Sequence, residues 1–130
     1  MARTVVADVM TRQVVYLPGE TTLDEAAQAM RDRSIGDVVV THGPTMSGLV
    51  TDRDIVVRAV AEGLPPDTTT LESIASRELI MVEQSATVEE AVRAMRDRGV
   101  RRLLVCDADR QVVGILSMSD LALVPTSASA

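Results

Sequence analysis

The strongest constraint on the fold is an internal duplication. The pentapeptide Ala-Met-Arg-Asp-Arg occurs at Ala29–Arg33 and again at Ala94–Arg98. The match extends on both sides once a single-residue gap is placed near Met46. The further matching pairs are Thr22–Ala26 with Thr87–Ala91, Val38–Val40 with Leu103–Val105, and Gly48–Asp54 with Gly114–Asp120. Because a repeated unit buries its apolar face against its twin, the duplication predicts two similar halves that share a core.

The duplication divides the 130 residues into two halves, each of about 55 to 60 residues and marginal as an isolated domain. The paired prolines Pro65 and Pro66 cannot continue a helix, so they mark the connection between the halves. We expect a first repeat over residues 1–62, a linker over 63–70 and a second repeat over 71–124. The small, polar residues 125–130 are expected to form a disordered tail.

The hydrophobic pattern of each half predicts a short helix, a strand, a helix, two further strands and a final helix. Apolar runs at Val14–Leu17 and Leu79–Val82 predict the first strands. The long helices follow Thr22 and Thr87, each an N-cap residue with a Glu three residues later. The expected fold is α/β (α+β), with two tandem β-α-β-β-α repeats related by a pseudo-twofold axis. Their sheets pack together, and the cleft between the repeats is a natural ligand site.

Composition and charge exclude several classes of partner. The net charge is −6, which argues against a nucleic-acid-binding surface. All 13 basic residues are Arg, a side chain that can form bidentate contacts with phosphate or carboxylate. With no Phe, no Trp and one Tyr, the chain lacks the aromatic platforms on which single-stranded nucleic acids stack. No apolar run is long enough to span a bilayer, and a single Cys fits a reducing compartment. We therefore expect a cytoplasmic protein without nucleic-acid or membrane partners.

Two copies of one short motif carry the chemistry of interest. Each consists of Gly, two apolar residues, Thr or Ser, two variable residues and Asp, at Gly48–Asp54 and Gly114–Asp120. The hydroxyl residue follows a strand and opens a helix, where backbone N–H groups and the helix dipole favour anions. The Asp one turn later can accept hydrogen bonds from vicinal hydroxyls such as those of a ribose. The Gly permits a close backbone approach.

The same motif also has a purely structural interpretation. Thr51 with Asp54, and Ser117 with Asp120, satisfy the capping-box pattern with which many helices begin. The chain uses this pattern at its two long helices as well, where no ligand is implied. The two interpretations are compatible, because an N-cap hydroxyl can be shared with a ligand.

The paired motifs resemble those of tandem CBS-domain proteins, also called Bateman modules, and the resemblance covers the chain apart from its tail. The segments Leu49–Val56 and Gly63–Leu64 are similar to small stand-alone actinobacterial CBS proteins of the hypoxic-response type. In this family the Asp holds the ribose hydroxyls of adenosine, and the Thr or Ser contacts phosphate or ribose. The resemblance gives these roles to Thr51, Asp54, Ser117 and Asp120.

The resemblance also implies where an adenine and its phosphates would lie. Family adenines contact apolar side chains around the first strand and just before the second, although each such residue also fits a plain core position. The residues at those places are Val14, Val15, Tyr16 and Ile35 in the first half, and Leu79, Ile80, Met81 and Val100 in the second.

Basic residues before the second strand commonly contact phosphate in the family, a role that the resemblance gives to Arg101 and Arg102. A guanidinium group can chelate phosphate oxygens. The alternatives are a solvated surface or an ion pair with Asp37 or a nearby Glu. The first half has Gly36 and Asp37 at the matching positions. The two sites are therefore expected to differ in their preference for phosphate.

Two hypotheses about function remain open. The first is an energy or metabolite sensor that binds AMP, ADP, ATP or S-adenosylmethionine between its repeats, requires no cofactor and forms a homodimer. The second is a ligand-free module that dimerises or docks to a protein partner through the helices after Thr51 and Ser117. The residues proposed for that surface are Ile55, Val56, Ala59 and Leu121.

The remaining reactive residues indicate neither an enzyme nor a metal protein. His42 and Cys106 are the single His and the single Cys of the chain, and one of each makes no usual zinc site. No nucleophile, base and orienting group form a recognisable catalytic set. We therefore expect a regulatory protein rather than a catalyst.

Overall fold

The computed structural model describes residues 3–121, so the expected tail at 125–130 lies outside the described residues. The chain divides into two compact units. The first unit spans Val15–Leu79, and the second combines the N-terminal residues up to Val14 with the residues from Ile80 onward. Each unit contains one three-stranded sheet with helices. The fold is therefore mixed α/β in two similar halves, as the duplication predicts.

The order of elements is the same in each half of the sequence. The first half consists of α1 (Val6–Val9), β1 (Tyr16–Pro18), α2 (Leu23–Arg33), β2 (Asp37–His42), β3 (Thr45–Thr51) and α3 (Asp52–Asp54), which continues as a π-helix (Ile55–Val60). The second half consists of α4 (Leu71–Ile74), β4 (Met81–Glu83), α5 (Val88–Arg98), β5 (Arg102–Cys106), β6 (Val112–Ser117) and α6 (Met118–Leu121).

The two sheets have the same topology. In each, the first strand pairs with the second in parallel, and the second pairs with the third as an antiparallel hairpin. The register shifts at equivalent places, between Val40 and Thr41 in one hairpin and between Val105 and Cys106 in the other. The duplication therefore extends to the hydrogen-bonding pattern of the strands.

Capping boxes start both long helices, as predicted. The hydroxyl oxygen of Thr22 accepts from the Glu25 N–H at 3.3 Å, while the Glu25 carboxylate accepts from the Thr22 N–H at 3.2 Å. Thr87 and Glu90 repeat the arrangement in α5. Gly99 ends α5 in the left-handed conformation with φ of 65°, as expected of a C-terminal glycine. Ser34 adopts the same conformation after α2, although its Cβ makes that backbone less favourable.

Each unit has its own aliphatic core, formed where one face of a long helix packs on the sheet. Leu23, Ala26 and Met30 point from α2 into the first core. In the second unit, Ala91 and Met95 of α5 pack against the buried side chains of β5 and β6. Spacing of three and four residues places these side chains on one face of a helix.

The first strand of each repeat begins two residues later than predicted. β1 starts at Tyr16 and β4 at Met81. The residues just before them are nevertheless tied to the sheet, because the Val15 carbonyl accepts from the Val39 N–H at 2.8 Å and the Ile80 carbonyl accepts from Leu104 at 2.9 Å. The apolar runs therefore include the approach to each strand.

The helix after Thr51 widens into a π-helix, with a hydrogen bond of 2.9 Å from the Ala61 N–H to the Val56 carbonyl. The chain leaves this helix at Gly63, whose φ is 71°, as the sequence predicts. Ala59 is 1% exposed and belongs to the first core. Its prediction as an interface residue is therefore wrong, since the helix turns this methyl group toward the sheet.

Each unit is completed by a segment from the other half of the sequence. In the second unit, the Val6 N–H donates to the Ala86 carbonyl at 2.8 Å, next to an antiparallel bridge between Val5 and Thr87. In the first unit, the Leu71 N–H donates to the Thr21 carbonyl at 2.9 Å. Helix α1 therefore belongs to the second unit and helix α4 to the first.

Candidate functional site

The first copy of the motif forms a closed capping box at the end of β3. The Thr51 N–H donates to Asp54 Oδ2 at 2.9 Å, and the Asp54 N–H donates to Thr51 Oγ1 at 3.0 Å. Thr51 is only 8% exposed, and the Asp54 side chain is 22% exposed. The Thr51 hydroxyl still has a proton to donate, and Asp54 Oδ1 still has lone pairs that can accept.

The second copy forms the same frame at the end of β6. The Ser117 N–H donates to Asp120 Oδ2 at 2.9 Å, and the Asp120 N–H donates to Ser117 Oγ at 3.3 Å. Ser117 is also 8% exposed, and its Oγ lies 2.7 Å from Ser119 Oγ. Thr51 and Ser117 are the two polar residues that are buried in the described part of the chain. The long helices have more exposed Thr N-caps, so burial distinguishes the two motifs from ordinary caps.

The residues directly across the strands from the two hydroxyl residues carry opposite charges. Arg102 pairs across the strands with Ser117, and Asp37 pairs with Thr51. The Arg101 carbonyl accepts from the Met118 N–H at 3.0 Å, which holds this part of the chain against the start of α6. A cationic residue therefore lies beside the hydroxyl in one unit, and an anionic residue lies there in the other.

A second carboxylate adds to the acidity of the first motif. Asp52 Oδ1 accepts from the Arg53 N–H at 2.8 Å, so this side chain caps a donor of the first helical turn. A Cβ placed on Gly36 would lie 3.1 Å from Asp52 Oδ2, so the carboxylate also reaches the residue before β2. The matching residue of the second motif is Met118, whose thioether cannot act as a carboxylate cap.

The outer oxygen of each Asp faces a different neighbour. Asp54 Oδ1 lies 3.9 Å from the guanidinium Nε of Arg58, one helical turn later. Asp120 Oδ1 accepts a hydrogen bond of 3.4 Å from the Thr11 hydroxyl, which comes from the N-terminal segment. The sequence reasoning missed both contacts. The spacing of four residues could have indicated Arg58, whereas no local signal relates Thr11 to Asp120.

The glycines of the motifs make room for protein backbone. A Cβ on Gly114 would lie 2.8 Å from the Thr11 carbonyl oxygen, and a Cβ on Gly48 would lie 2.9 Å from the Ser76 carbonyl oxygen. Thr11 bridges to Ile115 and Ser76 bridges to Leu49, in both cases antiparallel. The predicted close approach is therefore made by a short chain segment that borders the third strand of each sheet.

The residues proposed for the adenine sites lie in mixed environments. In the first unit, Val15 is a buried core residue and Ile35 packs partly buried against the same core, whereas Tyr16 is 45% exposed. In the second unit, Ile80 and Val100 pack partly buried against the core. The other three residues, Val14, Leu79 and Met81, are partly exposed.

Within residues 3–121, no group of three or more His, Cys, Asp or Glu side chains is arranged to hold a metal ion. The same residues contain no helix that is long and apolar enough to cross a membrane. The described chemistry of the two motifs is therefore that of buried hydroxyls, carboxylates and backbone donors, with arginines beside the second motif. Such groups can hold a polyhydroxylated ligand by hydrogen bonds. The charged residues beside each motif then favour either an anionic or a cationic ligand.

Relatives with similar sequences match the chain over most of its length. It is 36% identical over 120 residues to an uncharacterized protein of Methanopyrus kandleri, covering 92% of this chain and 61% of that protein. It is 33% identical over 120 residues to hypoxic response protein 1 of Mycobacterium tuberculosis, covering 92% of this chain and 83% of that one. The chain thus spans somewhat less than two thirds of the Methanopyrus protein.

Solved structures share the fold. The crystal structure of hypoxic response protein I with two coordinated zinc ions superposes with a TM-score of 0.68 at 33% identity, covering 92% of this chain and 97% of that one. The CBS domain pair of protein MJ0100, in complex with 5′-methylthioadenosine and S-adenosyl-L-methionine, gives a TM-score of 0.76 at 23% identity, covering 93% and 94% of the two chains.

The model of one protein family matches the chain twice, over residues 6–60 and 71–125. The matched ranges follow the two repeats of the sequence and include both copies of the Gly-to-Asp motif. This protein therefore belongs to the CBS-domain family and contains a tandem pair of CBS domains.

Proposed function

We propose that this CBS pair is a cytoplasmic regulatory module that binds an adenosyl ligand at its two Gly-to-Asp motifs and acts as a metabolite sensor rather than an enzyme. The observation that carries the proposal is the buried hydroxyl beside a half-buried carboxylate at the end of each sheet, at Thr51 with Asp54 and at Ser117 with Asp120. A ligand-binding neighbour of the same fold, the MJ0100 pair, supports the choice of an adenosyl compound.

Each motif can bind a ribose without losing its capping box. In both boxes, Oδ2 of the Asp accepts from the backbone N–H of the hydroxyl residue. The Oδ1 atom has lone pairs for a ribose hydroxyl, and the Thr or Ser hydroxyl can donate to a phosphate or ribose oxygen. The apolar residues around β1 and β4 are proposed to surround the adenine.

The two motifs are proposed to select ligands of different charge. Arg101 and Arg102 suit the phosphates of AMP, ADP or ATP, because guanidinium groups form charge-assisted hydrogen bonds with phosphate oxygens. Asp37 and Asp52 make the first motif unfavourable for phosphate. A ligand with a cationic sulfonium, such as S-adenosylmethionine, fits the first motif better.

Ligand binding regulates only if it favours one arrangement of the protein over another. The ligand can shift the free energy of this equilibrium by no more than the difference between its binding free energies for the two states. Two adenosyl sites of unequal charge would report two metabolites, or the ratio between them. The proposed output is a change in the arrangement of the repeats or in association with a second copy of the chain.

A thermal-shift titration with AMP, ADP, ATP and S-adenosylmethionine tests the proposal. We expect AMP to raise the melting temperature, with the rise lost in Asp120→Ala and retained in Asp54→Ala. Glu90→Ala is the matched control, because it removes the carboxylate of an equivalent capping box outside the motifs. The proposal is wrong if no adenosyl compound shifts the melting temperature at millimolar concentration.

A ligand-free interaction module is the second candidate, and a specific surface favours it. Val56, Val57 and Val60 are 57%, 48% and 66% exposed on the π-helix, and Leu64 after it is 39% exposed. Exposed apolar side chains grouped on one helix suggest contact with another protein surface. In this candidate the Asp residues only cap helices, and the face mediates homodimerisation or docking of a protein partner.

Analytical ultracentrifugation of the Val56→Asp/Val60→Asp double variant tests the role of this face. We expect the wild-type chain to form a homodimer and the variant to be monomeric, because two charges cannot be buried there without partners. The Asp120→Ala variant should remain dimeric. If the double variant remains dimeric, the interface lies on another surface of the protein.

A further inference from the structure

The second motif contains an exposed thioether, that of Met118. This residue directly follows the buried Ser117, whose N–H and hydroxyl form the frame with Asp120. The Met118 N–H donates to the Arg101 carbonyl at 3.0 Å, so its backbone is fixed beside an arginine proposed to contact phosphate. Met118 is nevertheless 42% exposed. Its sulfur is therefore accessible to small oxidants dissolved in water.

The other methionines of residues 3–121 are less accessible. Three of them are buried in the two cores, with at most 8% of their surface exposed: Met10, Met30 and Met95. Met46 and Met81 are partly buried. The Met81 sulfur also accepts a hydrogen bond of 3.9 Å from Arg110 Nη2, which engages a lone pair that an oxidant would attack. Because oxidation requires access to the sulfur, we expect Met118 to react first.

The first motif shows what a side-chain oxygen does at this position. Asp52 matches Met118, and its Oδ1 accepts from the N–H of the next residue, Arg53, at 2.8 Å. A thioether is a weak acceptor, whereas a sulfoxide has a polar oxygen that accepts well. Oxidised Met118 can therefore accept from the N–H of Ser119, with a side chain one bond longer than that of Asp52. The partial negative charge of this oxygen would oppose a phosphate at the second motif.

We propose that Met118 is a site of reversible oxidation by hydrogen peroxide, and that its sulfoxide weakens the binding of an anionic ligand at the second motif. The effect on the ligand rests on the proposed adenosyl-binding function. In the reaction, a lone pair of Met118 Sδ attacks one peroxide oxygen, so that an S–O bond forms and the O–O bond breaks. The sulfur is oxidised by two electrons, and the departing hydroxide takes the proton of the transferred oxygen and leaves as water. A methionine sulfoxide reductase returns the thioether.

Limited treatment of the full chain with hydrogen peroxide, followed by peptide mass spectrometry, tests the site. We expect the peptide that contains Met118 to gain one oxygen atom before the peptides that contain Met30 or Met95 do. Oxidation of either buried methionine ahead of Met118 would overturn the proposal. Met46→Leu is the matched control, because removal of a partly buried methionine should leave the rate at Met118 unchanged.

Calorimetric titration with AMP tests the consequence of oxidation. We expect oxidised protein to bind AMP about threefold more weakly than untreated protein, the effect of one uncharged acceptor near the phosphate. Treatment with the reductase should restore the affinity. Met118→Leu should bind AMP equally before and after peroxide, because it has no sulfur to oxidise. Met118→Gln has its oxygen as many bonds from the backbone as the sulfoxide oxygen, and it should bind AMP more weakly than Met118→Leu without peroxide.

A titration with adenosine separates an effect on phosphate from general damage. Adenosine lacks the phosphate, so its affinity should fall less than that of AMP when Met118 is oxidised. An equal loss for both ligands would show that the sulfoxide disturbs the fold of the site, which overturns the proposed role.

Two further outcomes separate this inference from the proposed function. If untreated protein binds AMP and oxidation of Met118 leaves the affinity unchanged, the role of Met118 is wrong while adenosyl binding stands. If untreated protein binds no AMP at millimolar concentration, both proposals are overturned.

Discussion

The ends of β3 and β6 share one hydrogen-bonded frame but differ in the charges around it. Both frames consist of a buried hydroxyl, an Asp three residues later and two reciprocal hydrogen bonds. Asp37 and Asp52 flank the first frame, whereas Arg102 and Met118 take their places at the second. The comparison teaches that duplication has retained the scaffold, which folding requires, while the neighbouring positions have become chemically distinct.

The largest effect is expected from a test of the shared scaffold. Gly48→Ala and Gly114→Ala should each lower the free energy of unfolding by about 2 to 3 kcal/mol, because the added Cβ would collide with the backbone oxygen of Ser76 or Thr11. Urea unfolding measures the loss. Gly36→Ala is the control, since its Cβ would meet only the end of the Asp52 side chain. Unequal losses of unfolding free energy at Gly48 and Gly114 would show that the two frames are not equivalent.

The next effect concerns the arginines of the second motif. Arg101→Ala/Arg102→Ala should weaken AMP binding at least tenfold, about 1.5 kcal/mol or more, because charge-assisted contacts to phosphate are lost. Adenosine, which lacks the phosphate, should bind with unchanged affinity. Isothermal titration calorimetry provides both numbers. A parallel loss for adenosine would show that the arginines support the fold of the site and do not recognise phosphate.

Exchanging the residue that follows the hydroxyl residue, Asp52 or Met118, should change AMP affinity less than loss of the arginines does. The change should have opposite signs in the two motifs. Asp52→Met removes a carboxylate cap from the first helical turn and should raise AMP affinity there severalfold, about 1 kcal/mol, since an anion is favoured where helix N–H groups are uncapped. Met118→Asp should weaken AMP binding at the second motif by a similar factor. Phosphorus NMR line broadening of AMP reports both changes. If neither variant changes AMP binding, the difference between Asp52 and Met118 does not affect phosphate recognition.

The capping boxes of the long helices provide a comparison without a ligand. Thr22→Ala and Thr87→Ala should each cost about 1 kcal/mol of unfolding free energy, the usual value of an N-cap. Thermal denaturation monitored by circular dichroism measures the cost. The rise in melting temperature produced by AMP should be unchanged in both variants, in contrast to Asp120→Ala.

The smallest effect is expected for the ion pair that is specific to the first motif. Arg58→Met should cost at most about 0.5 kcal/mol through the loss of the contact to Asp54, because the Arg58 side chain is 51% exposed and water screens the pair. Because Arg58→Met also removes the hydrogen bond to the Ile74 carbonyl, the ion pair is measured by the salt-dependent part of the cost alone. Raising the salt concentration should reduce the difference between wild type and variant.

The sequence predicts those features that depend on neighbours along the chain. The order of elements, the Thr22 and Thr87 caps and the end of α5 at Gly99 follow from residues within a few positions of each other. The family was likewise predictable from the sequence, because the residues of each motif copy are contiguous in the chain. These predictions are confirmed by the structure and by the family match.

The features that the sequence does not reveal depend on residues far apart in the chain. The reason for Gly114 is the backbone of Thr11, and the proximity of Thr11 to Asp120 follows from the same pairing. The burial of Ala59 depends on how the π-helix rotates toward the sheet. Hydrophobic periodicity locates a helix but does not specify which half of the duplication a short flanking segment will join.

The placement of α1 in the second unit has a consequence for synthesis on the ribosome. Residues Val15–Leu79 form a contiguous unit that can make its internal contacts once they have emerged, whereas Thr4–Thr11 must wait for the strands that end near Ser117. A chain synthesised from its N-terminus therefore completes its second unit with residues that were made before those of the first unit. Any ligand site that includes Asp120 and Thr11 can exist only after Asp120 has itself emerged from the ribosome.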